Sequence, residues 1–364
     1  MGSFHWLHFS DLHLTPEERF DTKYARSQLS DFLRTETSAG HLPCDYIFFT
    51  GDIAHKGNYD GVLDNIQKLL DSLGWDKYER VFWSVGNHDI PRDSKLRALI
   101  INHIRSNENE TGLFEEFMDD SEIRDVLFLK GMKDYHQCHK KVLKREAFDI
   151  DSPAPHNQYL LPDLNLIVLN TCLTSCDNND EHNLYIKESG LLSAFEDLNP
   201  INPTFVIGHH GIEYFKESEQ RGIGHSFDSS NVDIYLCGHS HWFGHAVIPG
   251  PHREIHQITC GVGLDAKYSK FSFLYGYYNQ NDRSVLIEPY SYEGNGSKNW
   301  HFDSNLHRKL DGNTTLQLTG DRTKSLPIQA PVRQKFDSES GGESTQKKQL
   351  EWSSGYFGFD DKQR

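Results

Sequence analysis

Five short apolar runs in this sequence leave through the same kinds of polar residue. FHWLHF leads into Asp11-Leu12-His13, DYIFFT into Gly51-Asp52, and RVFWSV into Gly86-Asn87-His88-Asp89. TFVI leads into Gly208-His209-His210, and VDIYLC into Gly238-His239-Ser240-His241. A strand that is apolar at consecutive positions needs cover on both faces. Helical patterns lie between the runs. TKYARSQLSDFLRTE places Tyr24, Leu29, Phe32 and Leu33 near helical spacing, and YDGVLDNIQKLLDSLG is amphipathic and closed by Gly74. Buried strands alternating with helices predict an α/β sheet with both faces covered. In open sheets of that kind the carboxyl ends of the strands gather at one edge. The Asp, Asn and His residues are therefore expected to meet.

Carboxylate, amide oxygen and imidazole together suit divalent transition metals such as Mn, Fe, Zn, Co or Ni. The 21 histidines point the same way. Glycines beside the polar residues allow sharp turns and keep side chains out of the site. A strand presents alternate residues on one face, so Asp11 and His13 are expected to point at one ion from the end of a strand.

LNLIVLNT repeats the strand pattern. After Gly238-His239-Ser240-His241 the character changes. HAVIPG, REIHQITCGVG, FSFLYGYYNQ and SVLIEPYSYEG follow without helices, which predicts a second, more antiparallel sheet. Between Pro91 and His156 a helical insertion follows the Gly86–Asp89 loop and is expected to overhang the same edge. Its Phe114, Phe117, Phe128 and Tyr135 read as core. From about Thr319 the chain is polar, and 319–364 is expected to be a disordered tail. Within it Trp352, Tyr356, Phe357 and Phe359 form a segment able to dock on a partner.

No apolar run approaches the roughly 18 residues of a membrane span, and MGSFHWLHFS has no secretory pattern. The six cysteines show no disulfide spacing and are expected to be reduced thiols in a cytoplasmic protein. A net charge of −16 disfavours duplex DNA. It leaves phosphate substrates open, because bound metal supplies local positive charge.

Taken in order, DxH, GDxxxxG, GNHD, a strand-terminal GHH and GHxH resemble the calcineurin-like metallophosphoesterases over about residues 4–290. The resemblance implies a four-layer α/β/β/α sandwich over residues 1–318, with a helical cap at about 91–156, and a centre of two divalent metal ions: Mn, Fe or Zn, with Mn favoured. It implies that Asp11, His13 and His241 hold one ion, that Asn87, His209 and His239 hold the other, and that Asp52 bridges them. His210 stands as the alternative to His209. His88 would sit beside the leaving group as acid or charge stabiliser, and Asp11 or Asp52 would orient the water. The implied reaction is in-line hydrolysis of a phosphoester by a hydroxide bridging the ions.

The family's protein phosphatases carry GDxVDRG and RGNHE where this chain has GDIAHKG and VGNHD. His55 thus replaces the aspartate that would pair with His88, and the arginine is missing. The motifs stand closer to the cyclic-nucleotide phosphodiesterase-like and general phosphohydrolase branch. This gives the expectation of a phosphodiesterase acting on a nucleotide, cyclic nucleotide or related ester. The alternatives are a nuclease of the recombination-repair exonuclease type and a weakly active scaffold. His55 and Lys56 are candidates to reach the phosphate, and Asp89 to brace His88 or to turn the chain.

Overall fold

The computed structural model describes residues 2–15, 20–74, 78–107, 112–148, 155–177, 179–263, 270–293, 299–307 and 315–319. All of these belong to one unit, Met1–Leu326. The expected tail beyond residue 319 lies outside the described residues. The strands in chain order are β1 (Phe4–Phe9), β2 (Tyr46–Thr50), β3 (Val81–Ser84), β4 (Asn157–Leu160), β5 (Asn165–Val168), β6 (Thr204–Ile207), β7 (Ile234–Cys237), β8 (Gly244–Pro249), β9 (Glu254–Thr259), β10 (Lys270–Asn279), β11 (Ser284–Glu293), β12 (His301–Phe302) and β13 (Thr315–Gln317). The helices are α1 (Phe20–Ser38), α2 (Val62–Ser72), α3 (Lys95–Ser106), α4 (Leu113–Asp119), α5 (Ser121–Arg124), α6 (Lys133–Leu143), α7 (Glu188–Ser193), α8 (Glu217–Ser229) and α9 (Ser304–His307).

Two sheets result. One runs β12-β11-β10-β1-β2-β3, with β13 on β11, and the other runs β4-β5-β6-β7-β9-β8. The pairs β1·β2 and β2·β3 are parallel, as are β5·β6, β6·β7 and β7·β9. Strand periodicity sorts the apolar side chains into three cores. Leu7, Phe9, Ile47, Phe49, Val81 and Trp83 face the helical side, where they meet Leu29, Leu33, Ile66 and Leu70. Phe4, Trp6, Tyr46, Phe48 and Phe82 face the second sheet and meet Leu166, Phe205, Ile207, Ile234 and Leu236. On the far face of that sheet Ile167, Val206 and Tyr235 pack on Leu191, Ile223 and Phe227. Three cores between four layers make an α/β/β/α sandwich.

The strands after His241 do not form a separate antiparallel sheet, contrary to the expectation from sequence. β9 joins β7 in parallel and β8 closes that edge, whereas β10 pairs antiparallel with β1 and β11 with β10. The reason is burial on both faces. In β10, Phe271, Phe273 and Tyr275 belong to the helix-side core while Leu274 and Tyr278 belong to the core between the sheets. Only a place inside an existing layer buries both sets. Gly276 pairs with Trp6, and a Cβ there would lie 2.1 Å from the indole, so glycine makes room for the ring.

The insertion extends the outer helical layer. Phe114, Phe128 and Tyr135 are buried in the helix-side core, with Phe117 against it, and Tyr135 Oη donates to the Trp83 carbonyl at 2.9 Å. At its other end it grips the chain leaving β5. Arg97, only 2% exposed, donates to the carbonyls of Cys172 (2.9 Å), Leu173 (3.0 Å) and Ser175. Without Arg97 the Cys172 carbonyl would keep only the Ser175 amide, at 3.2 Å, and the Leu173 and Ser175 carbonyls would lose their guanidinium donor. Arg97→Met is therefore expected to lower unfolding free energy by about 3–5 kcal/mol in urea titration. An unchanged midpoint would mean that this contact holds nothing together.

Candidate metal centre

β1 stops at Phe9 and β2 at Thr50, and their exits run side by side. Asp11 N donates to Gly51 O (3.1 Å), His13 N to Asp52 O (2.9 Å) and Leu14 N to Ile53 O (2.7 Å). Asp11, His13 and Asp52 all take left-handed backbone, with φ of 54°, 44° and 52°. The expectation that Asp11 and His13 share a strand face is therefore corrected. Each points to the site because its own backbone is left-handed, and Leu12 between them turns into the helix-side core. His239 and His241 repeat the device in the second sheet, with φ of 65° and 61°. Such residues cost about 1–2 kcal/mol each, although Asp and His tolerate the region better than most. Left-handed strain concentrated at one place is a mark of a functional site.

Glycines bring these loops to backbone contact. A Cβ on Gly86 would lie 2.1 Å from Asp52 N, and one on Gly238 would lie 1.8 Å from Ser10 Oγ. The loops of both sheets thus meet at one seam.

Two donor sets form there. In the first, His241 Nε2 lies 3.1 Å from Asp11 Oδ1, and His13 Nε2 lies 3.3 Å from His241 Nε2 and 3.8 Å from Asp52 Oδ2. In the second, His209 Nε2 lies 3.3 Å from Asp52 Oδ2 and 3.0 Å from Asn87 Oδ1, and His239 Nδ1 lies 3.2 Å from both Asn87 Oδ1 and His209 Nε2. Asp52 Oδ2 faces both sets. Each carboxylate is anchored by its other oxygen: Asp52 Oδ1 accepts from His88 N at 2.6 Å, and Asp11 Oδ2 from His239 N at 3.1 Å. His209 Nδ1 contacts the Thr50 carbonyl at 2.7 Å, which turns Nε2 toward the cluster.

The donor sets fit metal ions. Lone-pair-bearing atoms converge, and Asp11 Oδ1 is buried without a hydrogen-bond donor. Among the described residues Asp11, His13, Asp52 and His241 offer ligand atoms within 4.8 Å of one another. Burial opposes ionisation of Asp11, but His241 and His209 outweigh it and hold the carboxyl down to about 2. Burial also opposes protonation of His209, yet Asp52 and Asp11 lift it to about 9. The cluster demands positive charge, and His209 supplies it with a proton that a cation would displace. The Asn87 amide responds to the same demand. With its oxygen inward, its nitrogen lies 2.8 Å from Arg92 Nη2, donor facing donor; turned over, its nitrogen donates into the cluster and its oxygen accepts from Arg92.

Around these sets lie the remaining candidates. His88 is half-buried, with its ring 4.8 Å from that of His13 and 5.3 Å from that of His55. Burial, reinforced by His13, Arg92 and His55 and opposed by Asp52, pulls its imidazolium down to about 4. Lys56 is exposed. Asp89 does not touch His88; its carboxylate accepts from Ala54 N (2.8 Å) and Gly86 N (2.9 Å) and so ties the β2 and β3 exits together. His210 meets Thr171 Oγ1 (3.1 Å) and Asp180 Oδ2 (3.6 Å), and it offers a ligand atom within 4.8 Å of those of His209 and His239. Sequence reasoning missed Arg92, although it stands five residues past Asn87. It also missed Thr171 and Asp180, which carry no local signal.

A family model described as calcineurin-like phosphoesterase matches residues 4–243. An uncharacterised metallophosphoesterase-like protein of Bacillus subtilis is 29% identical over 243 residues, 65% of this chain and 48% of that protein. The match thus spans about half the length of that relative. Among solved structures, the purple acid phosphatase of yellow lupin aligns with a TM-score of 0.48 at 10% identity, over 83% of this chain and 53% of that one. The 5'-nucleotidase of Candida albicans aligns with a TM-score of 0.40 at 9% identity, over 84% and 54%. The family match covers well over half of the sequence and includes the exits of both sheets: the chain belongs to the calcineurin-like phosphoesterases.

Proposed function

We propose that this chain is a phosphodiesterase with two divalent transition-metal ions, manganese favoured, and a nucleotide, cyclic nucleotide or similar ester as substrate. The observation that carries this reading is Asp52: one carboxylate oxygen faces His13 at 3.8 Å and His209 at 3.3 Å, between two groups of candidate ligands. Asp11, His13 and His241 would hold one ion, Asn87, His209 and His239 the other, and Asp52 would serve both. When bound, such ions acidify a water and neutralise phosphoryl charge. Asp11 or Asp52 would orient the attacking group.

His88 is neutral at pH 7 in the free protein, so it serves as an acid only after substrate oxygens arrive. Their negative charge raises its pKa, and it then donates to the departing oxygen. Arg92 lies close enough to Asn87 to add positive charge on the same side. The preference for diesters rests on the motif branch, with VGNHD in place of RGNHE. No helix among the described residues is long and apolar enough to cross a membrane. The six cysteines are free thiols, which supports a reducing, cytoplasmic setting.

Asp52→Asn removes the shared charge. It is expected to drop the content from two ions to one or none by elemental analysis. It should also cut turnover of bis(p-nitrophenyl) phosphate by at least about 10²-fold. Two retained ions with full turnover would refute the bridging role. His88 contacts Asp52 through its backbone amide, so His88→Ala leaves that bond in place. It should keep both ions and lose about 10²–10⁴-fold in kcat on alkyl leaving groups, with least loss on nitrophenolate. Equal loss on all leaving groups would remove the acid role.

A further inference from the structure

His210 is wholly buried, lies directly after His209, and meets neither Asp52 nor Asn87 in the contacts described above. Its ring packs 4.3 Å from that of His239 and 4.8 Å from that of His209. It is the back wall of both imidazoles in the second donor set. Three groups fix it. Thr171 Oγ1 lies 3.1 Å from its Nδ1 and accepts from the backbone amides of His209 (3.3 Å) and His210 (3.2 Å). Tyr235 Oη donates to its carbonyl. Asp180, 2% exposed, places Oδ2 3.6 Å from Nε2. Across that gap the carboxylate faces the Nε2 edge of the ring.

Asp180 is itself held from the insertion. Arg105 of α3 donates to Asp180 Oδ1 at 2.8 Å, to the Thr174 carbonyl at 2.7 Å and to Asp177 at 3.0 Å. Ser175 Oγ donates to Asp180 Oδ2 at 2.6 Å. A contiguous chain of contacts runs from α3 through Arg105, Asp180 and His210 to His209 and His239.

We propose that Asp180 and His210 are a positioning pair for the second metal ion, and that Arg105 makes the helical insertion part of that ion's support. The inference rests on the two-metal reading above and deepens it. The carboxylate keeps the His210 ring oriented, and the ring keeps His209 and His239 aimed. Outer partners of metal-ligating histidines are typically worth about 10–100-fold in metal affinity.

Calorimetric titration of the metal-free full chain with Mn²⁺ alone tests this, with a thermal melt to verify folding. Wild type should show two sites. Asp180→Asn, which keeps the shape and removes the charge, should weaken one site about 10–100-fold and leave the other unchanged. His210→Phe keeps the ring and loses the pairing; it should do the same, and it carries the test if Asp180→Asn fails to fold. Arg97→Lys perturbs the same loop without touching Asp180, and should lower the melting temperature while both affinities hold. Unchanged affinities in Asp180→Asn would overturn the proposal and leave the two-metal reading standing. So would equal weakening by Arg97→Lys, or loss of one site in His210→Phe alone, which would make His210 a ligand. Fewer than two sites in wild type would refute the two-metal reading itself.

Discussion

Two carboxylates, Asp11 and Asp52, sit in the interior at a seam between sheets, and burying an ion costs several kcal/mol unless opposite charge lies beside it. Everything around them answers that demand. His209 takes a proton, His13 and His241 crowd the same oxygens, and Asn87 has an amide that can present either end. Backbone amides satisfy the outward-facing oxygens of both carboxylates, and the inward-facing oxygens meet the imidazoles of His241 and His209. A metal ion is the one group that satisfies all these lone pairs together.

Strain and packing oppose each other here. Five residues of the cluster hold left-handed backbone, at a combined cost of several kcal/mol. They persist because the loops are pinned on both sides. The β1 and β2 exits are hydrogen-bonded to one another, Asp89 ties the β3 exit to the β2 exit, and Thr171 holds both amides after Gly208. The insertion adds the last restraint through Arg105, which holds Asp180 and the Thr174 carbonyl.

Much of this was legible in the sequence because it is local. A run apolar at every position declares a strand covered on both faces, and Gly-Asp or Gly-Asn-His at its end declares the exit. That brought Asp11, His13, Asp52, Asn87, His209, His239 and His241 onto one list. The structure brings all seven to one seam. What was not legible depends on partners far away in the chain. Whether β10 lies in a new sheet or beside β1 is decided by the cores its two faces find. The left-handed turn at Asp11 looks, in sequence, no different from the end of a strand. Asp180 sits about thirty residues from His210 in an irregular segment, where nothing marks it.

The cluster takes its members from two sheets whose facing surfaces pack through side chains. Hydrophobic contact is non-directional and would let one sheet slide a fraction of an ångström over the other at little cost. A coordination sphere has no such tolerance. The rings between the sheets impose the missing directionality: Phe205 stands edge-on to both Phe4 and Trp6, at 5.6 and 5.2 Å, and Tyr159 edge-on to Phe82 at 4.9 Å. Interlocked rings cannot slide without climbing over one another. The aromatic layer therefore acts as an alignment key, machined into the interior, for a cluster at the rim in which each donor set draws on both sheets.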